Sequence, residues 1–93
     1  MLVGVCKLEL FIPASGSLKS KRFVLKSLKT RIRNKFNVSV AEVGENEKWQ
    51  RTTLGIAAVC NERKIIDSMF NQIMNMIYMD GRIEVVDQFI DIY

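Results

Sequence analysis

Histidine is absent from this sequence, and with it go the usual general base at neutral pH and the Ser–His or Cys–His pairings of nucleophilic catalysis. Cys6 and Cys60 are the only thiols, so there is no His/Cys ligand set for a transition metal, and neither a metal nor a cofactor is expected. Both cysteines lie in apolar, strand-like runs and read as reduced core thiols, since a disulfide needs an oxidising compartment that nothing else in the chain suggests. Pro13 is the single proline and there are only five glycines, too few for a flexible linker, so residues 1–93 are expected to form one domain. No apolar run approaches the roughly 18 residues of a membrane span. No basic, apolar and small-residue segments follow one another as in a signal peptide. The expectation is a cytoplasmic protein without a membrane partner.

What the chain has instead is unevenly placed charge. Eight basic residues and no acidic one lie between Lys19 and Lys35, whereas the rest of the chain holds six basic and ten acidic residues. The net charge of +4 thus conceals one strongly cationic segment on a mildly anionic body.

Hydropathy periods give the elements. "MLVGVCKLELFIP" alternates as a strand, with Gly4, Cys6, Leu8, Leu10 and Ile12 on one face and Val3, Val5, Lys7, Glu9 and Phe11 on the other. Pro13 marks its end and Ser17 is the expected N-cap of a helix over residues 18–34. At 100° per residue, Leu18, Val24, Leu25, Leu28 and Ile32 share an arc of about 120°. "NVSVAEV" predicts a second strand, "GENEK" a hairpin loop and "WQRTTLGIAAVC" a third strand. Asn61 is the expected cap of a second helix, with Ile65, Ile66, Met69, Phe70, Ile73, Met76 and Ile77 as its apolar stripe. Met69, Met74, Met76 and Met79 read as core filler. "DG" at 80–81 ends the helix and "RIEVVDQFIDIY" predicts a last strand. A parallel sheet would need a long crossover where "GENEK" is only a short loop. The order therefore predicts an α+β, ferredoxin-like split βαβ fold (βαββαβ), a four-stranded antiparallel sheet with both helices on one face.

"SLKSKRFVLKSLKTRIRNKFNVSVAEVG…WQRTTLGIAAV" resembles the signature of the YlxP-like family of uncharacterised bacterial proteins, and the resemblance runs along essentially the whole chain. It implies the same ferredoxin-like fold and a genomic setting among translation and ribosome-maturation genes. It implies no established activity, so no catalytic residue is carried over.

Within the first helix, Lys19, Arg22, Lys26, Lys29 and Arg33 recur every three or four residues and fall within about 80° of the helical wheel. Like charges at this spacing repel, which points to an external anion: RNA or another phosphate backbone is the favoured partner. A solvated helix face and an acidic protein partner are the alternatives. Lys21 instead falls inside the apolar arc and is expected to pair with Glu42, which the antiparallel second strand brings to the helix start. Ser15, Gly16 and Ser17 resemble a weak anion cradle at that same start.

The sheet face away from the helices would carry Val3, Val5, Gly55, Ala57 and Val59 as a contiguous apolar patch, suited to a homodimer interface. Phe11, Trp49 and Arg51 at its other end are candidates for base stacking. The favoured function is a non-enzymatic RNA-binding module, with a protein-interaction module next and an enzyme using Glu42 or another carboxylate with a nearby lysine least favoured.

Overall fold

The computed structural model describes every residue from Met1 to Tyr93. Its elements are β1 (Leu2–Phe11), α1 (Leu18–Lys35), β2 (Ser39–Gly44), β3 (Arg51–Cys60), α2 (Arg63–Tyr78) and β4 (Glu84–Ile92). The strands form one sheet in the order β2-β3-β1-β4, with every neighbouring pair antiparallel. This is the ferredoxin-like α+β arrangement, with β1 and β3 at the centre.

Alternation decides which side of the sheet the helices cover. Cys6, Leu8 and Leu10 of β1 and Leu54, Ile56 and Ala58 of β3 are buried together with Leu25, Leu28 and Ile32 of α1 and Ile66, Phe70, Ile73 and Ile77 of α2. The odd-numbered residues of β1 face the other way, where no element lies over them. Gly4 is needed where α2 crosses β1: a Cβ there would collide with Ile66 Cγ2 and lie 3.1 Å from the Phe70 ring.

Local chemistry sets the helix ends. Ser17 is extended and its Oγ accepts the Ser20 N–H at 3.1 Å, while Arg33 and Lys35 sit in the last turn of α1, where the helix dipole favours cations. The second helix differs from expectation. Its cap is Glu62, without a side-chain hydrogen bond, and not Asn61, whose Oδ1 lies 3.9 Å from Cys60 Sγ. Ile65 is 43% exposed whereas Met74 is buried, so the inner stripe is narrower than the sequence suggests and Ile65 lies outside it. Likewise β3 begins at Arg51 and leaves Trp49 in the preceding loop. The Gln50 carbonyl still accepts the Ile12 N–H at 2.7 Å, one residue beyond the assigned start of β3.

Both sheet edges are partly engaged by side chains. Val3 and Tyr93 exchange two backbone hydrogen bonds, so alternation turns the N–H groups of Gln88 and Ile92 toward the free edge of β4. The carboxylates of Asp87 and Asp91 accept those N–H groups at 2.9 and 2.8 Å. On the opposite edge, the Val40 carbonyl of β2 accepts Arg33 Nη2 at 2.7 Å. Edges occupied in this way are poor templates for another strand.

Candidate polyanion interface

The start of α1 is bolted to the β2–β3 hairpin by one ammonium. Lys21 is 0% exposed, and its Nζ donates to Glu42 Oε2 at 3.0 Å and to the carbonyls of Glu45, Asn46 and Arg51 at 3.0, 3.2 and 3.2 Å. Three N–H donors are shared among four acceptors. Thr52 Oγ1 adds a 2.7 Å hydrogen bond to the same Glu42 oxygen. Glu45 is the only non-glycine residue with positive φ (58°), a costly left-handed conformation held in place by this contact to its carbonyl. The antiparallel course of β2 beside α1 brings Glu42 to Lys21; the three carbonyls and Thr52 come from the hairpin and have no signature in the sequence.

That ion pair has an electrostatic consequence outside the core. Glu42 borders a groove of about 390 Å³ along the α1–β2 edge, lined also by Arg22, Lys26, Lys29, Thr30 and Arg33. Because Lys21 neutralises Glu42 from beneath, the groove keeps the charge of its four cations. None of Lys19, Arg22, Lys26, Lys29 and Arg33 forms an ion pair; the four ion pairs present use Lys21, Arg31, Lys48 and Arg82. Arg33 is the most constrained of the five, since its guanidinium also closes the β2 edge.

Lys19 lies apart from the other four, on an apolar groove of about 420 Å³ with Ile12, Ala14, Phe23, Val24 and Arg82. The Ser15 and Ser17 hydroxyls are engaged within the chain: Ser15 Oγ donates to the Ser17 carbonyl at 3.2 Å and lies 3.0 Å from Ser20 Oγ, and Ser17 Oγ is the helix cap. Ser15 and Gly16 meet Trp49 and Arg51 in a third groove of about 600 Å³. The Arg51 guanidinium stacks over the Phe11 ring at 5.7 Å, and Trp49 is 57% exposed.

The far sheet face carries the expected small residues in register: Val3 opposite Val59, Val5 opposite Ala57 and Lys7 opposite Gly55. Glu9 accepts Thr53 Oγ1 at 2.9 and 3.0 Å across the same two strands.

One polar cluster was not legible beforehand. Asp80, at the end of α2, receives Arg31 Nη2 at 2.7 Å, Arg82 Nη2 at 2.8 Å, and Arg82 Nε and backbone N–H at 3.0 Å each. The Arg82 guanidinium above all, with help from Arg31, holds the Asp80 carboxyl well below the usual carboxylate range. Arg31 thereby leaves the cationic set, and its Nε–H is buried without a partner. The "D-G-R" of residues 80–82 was legible as a turn, but the partner on α1 lies 49 positions away.

Comparison with known proteins agrees with this architecture. The family described as "Protein of unknown function (DUF503)" matches residues 3–89. The "Uncharacterized protein YlxP" of Bacillus subtilis (strain 168) is 52% identical over 62 residues, which are 67% of each chain. The de novo designed protein Foldit4 superposes with a TM-score of 0.57 over the whole of this chain and 97% of its own, at 14% identity, a likeness of fold alone. The chain thus belongs to the DUF503 family, to which the YlxP-like signature of α1, β2 and β3 had pointed.

Proposed function

We propose that the protein is a non-enzymatic module that binds the phosphate backbone of RNA along the α1–β2 groove, with translation or ribosome maturation as its setting. The observation that carries this reading is the lack of any carboxylate partner for Arg22, Lys26, Lys29 and Arg33, which border one groove. Cations that repel one another at helical spacing gain by releasing the counterions of a polyanion. Trp49 and the Arg51–Phe11 pair offer π faces for one or two unpaired bases beyond the helix start. The Asp80 carboxyl, held ionised by two arginines, is not tuned for proton transfer near neutral pH.

Filter binding of a structured RNA at several salt concentrations tests the proposal. Four phosphate contacts correspond to a slope of about −3.6 in log K against log salt, or a loss of about 150-fold between 50 and 200 mM. Lys26→Glu with Lys29→Glu is expected to abolish retention while leaving the circular dichroism melt intact. Arg63→Glu with Lys64→Glu on exposed α2 positions, an equal change in net charge, is expected to weaken it far less. Equal losses from both pairs, or retention by the first, would refute the groove as the site. Capture of an acidic protein instead of RNA by the wild type would favour the protein-interaction alternative.

A further inference from the structure

The uncovered face of the sheet has a shape and a charge pattern of its own. Its central row crosses all four strands as Phe89, Lys7, Gly55 and Ala41, from β4 to β2. The next row is Asp91, Val5, Ala57 and Ser39. In these two rows the β4–β1 side chains are the larger, while Ala57, Ala41 and Ser39 are small and Gly55 is covered by the half-exposed Val43 of β2. Phe89 is 52% exposed, a ridge beside a trough. On β1, Lys7 is exposed and without an ion pair, and Glu9 has only the Thr53 hydroxyl as partner.

We infer that a second copy of this chain covers this face, related by a two-fold axis that runs along the strands. That operation lays β4 of one copy over β2 of the other and β1 over β3. Phe89 then sits over Ala41 of the second copy, and the Lys7 stem meets the Val43 that covers its Gly55. The ammonium of Lys7 comes within reach of Glu9 of the second copy, one strand across and two residues along, so both unpaired charges of β1 are matched twice. A ridge facing a trough is self-complementary only in this orientation; an axis across the strands would set Phe89 against Phe89. The acidic β4, with Glu84, Asp87 and Asp91 and no cation, would also lie beneath the β2 edge that α1 makes basic. Strand spacing of about 4.8 Å and rise of about 3.3 Å give a flat footprint of about 500 Å² per copy, enough to reach the roughly 1,000 Å² total of a specific interface. Side chains already engage part of both edges, which favours entry of the second copy over the face.

Sedimentation velocity across micromolar to hundred-micromolar protein tests this, and the residues involved are separate from the basic groove. The wild type is expected to dimerise. Lys7→Glu and Glu9→Lys are each expected to weaken the dimer at least about tenfold, and the double swap to restore it. Ala41→Cys with Phe89→Cys, in a Cys60→Ser background, is expected to give a dimer cross-linked by a short bismaleimide, whose reach suits the roughly 10 Å between packed sheets; within one copy the two positions lie three strands apart, about 14 Å. A monomeric wild type, a charge swap that fails to rescue, or linkage through Phe89→Cys alone would overturn the inference. RNA retention by a monomeric wild type would overturn only this inference and leave the groove proposal standing.

Discussion

Replacing Lys21 with Met removes the ammonium and keeps most of the side-chain volume, so the loss reports on electrostatics. In the native protein that group is fully buried and serves four acceptors. Stripping one partner from a buried ion pair costs about 3–5 kcal/mol. Glu42 remains 16% exposed and keeps its Thr52 hydrogen bond, which places the cost toward the lower end of that range. The stranded carbonyls of Glu45, Asn46 and Arg51 raise it again, at about 1 kcal/mol for each that water does not reach. A domain of 93 residues has a total stability of about 5–14 kcal/mol, so Lys21→Met should consume between a quarter and most of it. Urea denaturation followed by circular dichroism measures this as a fall in midpoint at constant slope. Glu42→Gln added to Lys21→Met removes the uncompensated carboxylate, and the double variant should recover more than about 1 kcal/mol relative to the sum of the single changes. Limited proteolysis should meanwhile cut the 45–50 loop in Lys21→Met before any other site. A loss below about 1 kcal/mol, or strictly additive changes, would refute the view that this lysine locks the hairpin to α1.

Three other outcomes follow from packing and charge. Asp80→Asn should cost about 1–2 kcal/mol at neutral pH, because two arginines, each about two-fifths exposed, lose a charged acceptor. Since the folded Asp80 pKa is lowered, its contribution is complete above the unfolded carboxyl value near 4 and disappears as pH falls toward the folded value; denaturation midpoints of wild type and Asp80→Asn should therefore converge below about pH 4. Gly4→Val should destabilise by about 1–3 kcal/mol by forcing Ile66 and Phe70 off β1, seen as a lower thermal midpoint; an unchanged midpoint would contradict the close approach of α2. Burial pushes the Cys6 thiol up to about 11, so a thiol reagent at pH 8 should label Cys60 in the native protein and Cys6 only after unfolding, as counted by mass spectrometry.

Much of the fold was legible because it rests on periodicity. A period of two in β1 and a period near 3.6 in α1 identify buried faces without knowledge of what buries them. The element order then leaves one economical way to cover a single sheet face. Asn61 and Trp49 looked like a cap and a strand start on local grounds, but in the fold Glu62 takes the cap position and β3 starts at Arg51. Lys21 was legible as an anomaly: a charge inside an apolar arc needs a partner, and antiparallel geometry offers Glu42. The Asp80 cluster was not, because Arg31 looked like one more member of a basic run.

By itself, then, the order of residues determined the faces, the turns and the concentration of eight positive charges on one helix. Only the tertiary structure decided which of those charges stay available. Lys21 and Arg31 are taken by carboxylates on other elements, Arg33 is shared with a strand edge, and Arg22, Lys26 and Lys29 remain without one. The reason is physical: alternation and helical period are local, whereas charge neutralisation depends on distances of a few ångströms between groups that chain folding alone brings together.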